Sequence, residues 1–132
     1  MIPVTAAIIL DRQGRVLLTQ RAEGDANGPR WEFPGGKILQ GESPEECLRR
    51  ELQEELGIDA LVGEVFHAVH HTFEGHSVLL LAYFCEWTGG RIQLKEHQEY
   101  RWLTPSELME MDLLEPDREV AAKLARRVGR GS

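Results

Sequence analysis

Glutamates crowd one segment of this 132-residue chain, at positions 42, 45, 46, 51, 54 and 55. Glu51, Glu54 and Glu55 stand at helical spacings that bring their side chains to one face. Leu48, Leu52 and Leu56 form a neighbouring apolar stripe that would seat such a helix on a core. The carboxylates then flank the packed seam, with Glu55 closest to it. Like charges this close repel, so a positive charge belongs in the gap between them. Oxygen ligands in this number suit a hard divalent cation, Mg²⁺ or Mn²⁺. A charge run is ordinarily a solvated helix face, but a solvated face needs neither the Gly35-Gly36 lead-in nor Arg50.

The elements that must hold these residues can be read in turn. Ser43 suits a helix N-cap, Pro44 the first helical position, and Glu46 completes a capping box. Gly57 supplies a C-terminal stop, so the spacing predicts a helix from Pro44 to Leu56. Upstream, Pro3 to Leu10 and Arg15 to Gln20 read as strands joined by the turn at Asp11–Gly14. Residues 21–30 read as an exposed loop, and Phe33-Pro34 as extended chain. Leu61 to Thr72 and Ser77 to Trp87 read as strands around a Phe73–His76 turn, with Glu99 to Leu103 a further short strand. Thr104-Pro105 opens a helix, and Pro116 precedes a last one from Asp117 to about Val128. Strand, helix, strands, helix fits an α/β sandwich with a mixed sheet between helices. One domain is expected over residues 1–128, with 129–132 as a flexible tail.

Composition narrows the partners. A net charge of −7 argues against duplex nucleic acid as a target, though not against nucleotides, because a bound cation inverts the local field. Cys47 and Cys85 are too few and too far apart for a disulfide framework or a zinc knot, and read as reduced thiols. The longest apolar run is too short for a membrane helix, and no signal-peptide pattern opens the chain. These features give the expectation of a cytoplasmic protein without a membrane partner. The lack of a long exposed apolar stretch favours a monomer. His67, His70 and His71 make no metal cluster by themselves, since adjacent histidines on a strand face opposite ways.

The run from Gly36 through Glu42 to Arg50-Glu51-Leu52-Gln53-Glu54-Glu55-Leu56-Gly57-Ile58 resembles the Nudix box at every specified position. The resemblance implies an α/β/α fold and hydrolysis of a nucleoside diphosphate linked to another group. It implies Glu51, Glu54 and Glu55 as ligands of Mg²⁺ (or Mn²⁺), with a carbonyl from Gly35 or Gly36. It also implies Glu51, Glu54 and Arg50 as catalytic residues, Arg50 orienting a glutamate, with Glu42 supporting the loop or an outer water. Lys95-Glu96-His97-Gln98-Glu99-Tyr100-Arg101-Trp102 is similar to the MutT-like branch, where a loop glutamate joins the metal site. By register that glutamate is Glu96, with Glu99 the alternative, and either Glu51 or Glu96 is the general base.

The same branch implies Arg21 at the phosphates and Glu32 and Phe33 beside the nucleotide pocket. It also implies water attack at the β-phosphorus of a nucleoside triphosphate such as 8-oxo-dGTP, giving monophosphate and pyrophosphate. Asp117 stands where relatives place a purine-reading asparagine, although as an N-cap it has a plain structural use. His76 stands where relatives place a base-contacting arginine, and Ala26 replaces a loop histidine. These departures keep CTP or 5-methyl-dCTP open as substrate. The proline or tyrosine that marks ADP-ribose or dinucleoside polyphosphate hydrolases is absent from residues 64–74. A non-catalytic nucleotide-sensing module is the rival from another class, and such modules usually lose box glutamates that this chain keeps.

Overall fold

Ala6 and Ile8 face one hydrophobic cluster, while Ala7 and Ile9, their neighbours in sequence, face another. This alternation is the period of a strand whose two faces are both buried. The computed structural model describes residues 1–25 and 28–131, and side chains as far as Arg127. Ala26 therefore lies outside the described residues.

The strands are β1 (Ile2–Ile9), β2 (Val16–Gln20), β3 (Trp31–Glu32), β4 (Asp59–Phe73), β5 (His76–Gly89) and β6 (Glu99–Leu103). The helices are α1 (Pro44–Leu56), α2 (Pro105–Leu108) and α3 (Glu115–Gly131). α3 carries the backbone of 129–131 on as helix, where the sequence suggested a tail. β5 lies between β1, which it pairs in parallel, and β4, which it pairs antiparallel. β2 lies between β3 and β6 in a second, antiparallel sheet. The expected mixed sheet is the β1–β5–β4 sheet, which pairs both ways, and the antiparallel β3–β2–β6 sheet accompanies it. A short turn joins β1 to β2 as expected, but after one bridge, Leu10 to Val16, they part to different partners.

α1 lays Leu48, Leu52 and Leu56 on Ala7, Ile9, Leu17 and Ile58, all fully buried. Each such leucine contributes about 1.5–3 kcal/mol by leaving water. α2 and α3 cover the opposite face through Leu108, Val120, Ala121 and Leu124. Helices therefore close both sides of the strands, an α/β/α sandwich. α1 begins with the reciprocal Ser43–Glu46 capping box (3.1 and 2.9 Å) and ends at Gly57, whose φ of 68° is left-handed. No helix among the described residues is long and apolar enough to cross a membrane. Both cysteines are free and buried.

Two loops reach the same end of α1. The segment after β3 runs along β1, where Ala7 N donates to Pro34 O (2.7 Å) and Thr5 N to Gly36 O (2.8 Å). The connection between β5 and β6 caps the helix, with Gln93 N donating to Leu56 O (2.8 Å) and Lys95 N to Glu55 O (3.2 Å). The carbonyls a helix leaves unpaired at its end thereby anchor the loop that carries Glu96 and His97.

Candidate active site

Glu55 is the most enclosed acid of the cluster, its side chain 5% exposed. Gly35 N donates to its Oε1 (3.1 Å), and His97 Nε2 lies 3.5 Å from its Oε2. Burial, then the charges of Glu32 and Glu51, push its pKa up to about 9. Burial also raises Glu51, against a 2.8 Å bond from Arg50 Nη1 that lowers it. Glu96 stands exposed on the loop opposite and adds its charge to both. Glu51, Glu55 and Glu96 all line one cavity of about 490 Å³.

Glu54 is placed differently. Its side chain is 57% exposed, bonded to Arg50 (3.1 Å), and outside the lining of that cavity. Arg50 also stands outside the lining and binds three glutamates, including both oxygens of Glu42 at 2.7 and 3.0 Å. The bonds from Arg50 and from the Leu39 amide hold Glu42 down at about 2.

The two glycines pack the approach closely. A Cβ at Gly35, whose φ is 154°, would collide with Thr5 O, and one at Gly36 would fall 2.5–2.7 Å from the Glu51 carboxylate. Gly36 O is turned to β1, taking Thr5 N (2.8 Å) and Thr5 Oγ1 (3.1 Å). Gly36 O, so engaged, is the less available of the two carbonyls to a cation.

At the other end of the cavity, Arg21 is clamped by Asp25 (2.8 Å to each oxygen) and Glu32 (3.2 and 3.3 Å). Burial works against its charge, but these carboxylates outweigh it and raise its pKa. Phe33 is buried and lines the cavity, and its N donates to Asp117 Oδ2 (2.9 Å). The helix starts at Glu115, so Asp117 sits in its first turn and is not its N-cap. Burial, with the charge of Glu32, raises Asp117 to about 8.

His76 is exposed where the β4–β5 hairpin turns and lies outside the lining, which takes His71 and Phe73 from β4. Glu99 is on β6, bonded to Arg101 (2.9 Å), also away from the cavity. His97 is the residue that sequence reasoning passed over. Its side chain is 4% exposed, and Nε2 lies 2.8 Å from Glu32 Oε2. Its place next to Glu96 was the only signal available.

The residues fit a divalent cation. Glu32, Glu55 and His97 each offer a ligand atom within 4.8 Å of the others, and Glu51 and Glu96 face the same space. Such crowding leaves Glu55 protonated unless positive charge arrives. Glu51, Glu55 and Glu96 are the hard oxygen donors that would hold it.

The sequence profile of the NUDIX domain matches residues 2–127. The chain belongs to the NUDIX family. A CTP pyrophosphohydrolase from Escherichia coli K12 is 40% identical over 117 residues, covering 89% of this chain and 86% of that protein. An 8-oxo-dGTP diphosphatase from Haemophilus influenzae is 39% identical over 104 residues, covering 78% of this chain and 76% of that protein. The crystal structure of a MutT protein from Methanosarcina mazei Go1 superposes with a TM-score of 0.85 at 28% identity, over 96% of this chain and 94% of the other. This NUDIX chain is a hydrolase of the family, and of its box glutamates Glu51 and Glu55 open on the cavity.

Proposed function

We propose that this hydrolase cleaves nucleoside triphosphates, modified ones such as 8-oxo-dGTP foremost, to the monophosphate and pyrophosphate with Mg²⁺ as cofactor, Mn²⁺ substituting. The observation that carries this reading is one cavity lined at one end by Glu51, Glu55 and Glu96 and at the other by Phe33 and Asp117. That arrangement matches a triphosphate at the acids and a base against Phe33.

A bound divalent cation supplies charge neutralisation at the phosphates and lowers the pKa of a water. The chain's own groups do the rest. Arg50 fixes Glu51 Oε1, which leaves its other oxygen for a water proton. Glu96 is the second carboxylate able to take that proton. Water oxygen bonds to the β-phosphorus as the bridge to the α-phosphate breaks, and the displaced oxygen leaves on the monophosphate. Arg21, charged and lining the cavity, is the cation for phosphate oxygens, at the cost of loosening Asp25 or Glu32.

Asp117 favours a second reading, hydrolysis of CTP or 5-methyl-dCTP. A carboxyl offers a base different partners from the amide of an asparagine, and the Escherichia coli relative is a CTP pyrophosphohydrolase. Steady-state hydrolysis with Mg²⁺ across 8-oxo-dGTP, dGTP, CTP and 5-methyl-dCTP decides between them, with phosphate and pyrophosphate assayed separately. Highest kcat/KM on 8-oxo-dGTP supports the first, on cytidine nucleotides the second. Binding without turnover of any would move the chain to a sensing role.

A further inference from the structure

We propose that His97 is a positioning residue, an imidazole clamp that locks Glu32 and Glu55 together and ties the nucleotide end of the cavity to its metal end. The inference rests on the reading of the carboxylate cluster as the cation site.

The clamp is built from both sides. Nε2 lies 2.8 Å from Glu32 Oε2 and 3.5 Å from Glu55 Oε2, so one N–H faces two carboxylates. Against an ionised carboxylate, which only accepts, Nε2 carries the hydrogen. The far oxygens are held as well, Glu55 Oε1 by Gly35 N (3.1 Å) and Glu32 Oε1 by Arg21 Nη1 (3.2 Å). A continuous series results: Asp25, Arg21, Glu32, His97, Glu55, Gly35. Its first members face the expected phosphate path, and its last two belong to the cation site.

His97 cannot drift, because its loop is pinned on either side. Lys95 N bonds Glu55 O at 3.2 Å, and Gln98 N bonds Gln20 O at 3.0 Å. These anchors join the end of α1 to the end of β2 with His97 between them. Nδ1 is buried and has no partner among the described residues, so the ring is held through Nε2 alone. A histidine that only filled the core would not require two carboxylates at one nitrogen. Without that N–H, Glu32 Oε2 loses its 2.8 Å bond and Glu55 Oε2 the nitrogen 3.5 Å away, which leaves the Gly35 amide to hold the Glu55 carboxyl. Groups that orient metal ligands in this way change metal affinity or activity by about 10–100-fold when removed.

The test is Mn²⁺ titration of the full, nucleotide-free chain, reading free Mn²⁺ by electron paramagnetic resonance, with melting curves in parallel. His97→Leu is expected to weaken Mn²⁺ about 10–100-fold. His97→Gln, whose amide N–H can still reach Glu32, recovers most of the affinity. With nucleotide, KM should rise in His97→Leu and return toward wild type in His97→Gln. A folded His97→Leu with wild-type Mn²⁺ affinity overturns the clamp, as does equal loss in both variants. Nitrogen coupling to Mn²⁺ in the wild-type protein also overturns it, by making His97 a ligand, and this reading needs no folded variant. Glu55→Gln separates the two levels of failure. If wild type binds no Mn²⁺, or Glu55→Gln binds as well as wild type, the cation-site reading falls and the clamp with it. Binding that depends on Glu55 but not on His97 removes the clamp alone.

Discussion

Arg50 Nη1 lies 2.8 Å from Glu51 Oε1 while Nε and Nη2 of the same guanidinium hold both oxygens of Glu42. Glu42 thus sets the plane of the fork, and the fork sets Glu51. A lysine cannot bond Glu42 at two points and still meet Glu51, because its ammonium is a single point of charge. Arg50→Lys is therefore expected to lower kcat about 10–100-fold, and Glu42→Ala to do the same through Arg50. Both variants should keep their fold, which circular dichroism checks. Equal kcat in Arg50→Lys and wild type would remove the orienting role.

The same contact predicts an acid limb in stability. Glu42 has its folded pKa depressed to about 2 from 4.5, so its contribution is complete above 4.5 and is lost as pH falls through about 2. Urea midpoints of wild type and Glu42→Gln should converge across that window. A difference that stays constant from pH 5 to 2 would count against the ion pair.

Glu55 works with the opposite sign. Its folded pKa is raised from 4.5 to about 9, so the cation-free fold holds an extra proton between those values. Stability then falls as pH rises from about 4.5 to 9, because the unfolded chain binds fewer protons. Cation binding must displace that proton. Calorimetric Mg²⁺ titration at pH 7 in buffers of different ionisation enthalpy should report proton release, and Mg²⁺ should raise Tm more at pH 9 than at pH 6. Loss of proton release in Glu55→Gln would assign it to that residue.

The fold and the acids were legible because both are local. α1 runs from Pro44 to Leu56 as its capping residues and leucine stripe require, and the same helix sets Glu51 beside Glu55. What the sequence did not carry was direction. Helical spacing puts Glu54 with Glu51 and Glu55, yet the structure turns it out to solvent, because the Leu48–Leu52–Leu56 seam orients the helix so that Glu55 goes in. His97 is set by two loop anchors on residues 20 and 55, contacts across the chain that no spacing records. His76 looked like a base contact from its position in the hairpin, and it pairs with Phe73 on the same face, but it stands exposed beside the turn, and the cavity lining takes Phe73 and His71.

Asp117 gives a prediction about base recognition. With its pKa raised to about 8, the carboxyl keeps a hydrogen at neutral pH and can donate as well as accept. Above about pH 8 it ionises and only accepts. Discrimination between nucleobases, read as a ratio of kcat/KM values, should change as pH passes 8 in wild type and stay level in Asp117→Asn. A wild-type ratio that is flat from pH 6 to 9.5 would exclude Asp117 from reading the base.

Gly36→Ala tests how closely the backbone must approach the acids. The new Cβ would fall 2.5–2.7 Å from the carboxylate of Glu51, the end of a flexible side chain that can move aside. The fold should therefore survive with little change in Tm. Glu51 cannot keep its place, and a shift of about 1 Å at a catalytic group costs about 100-fold in rate. Gly35→Ala differs in kind, because its Cβ would meet the fixed backbone of Thr5 rather than a side chain. That variant should lose stability first, with a lowered Tm even when the cation is saturating. Measuring Tm and kcat for both separates the two glycines: a rate loss without melting at Gly36, and melting at Gly35. If Gly36→Ala turned over like wild type, the carboxylate of Glu51 would not depend on this backbone for its position.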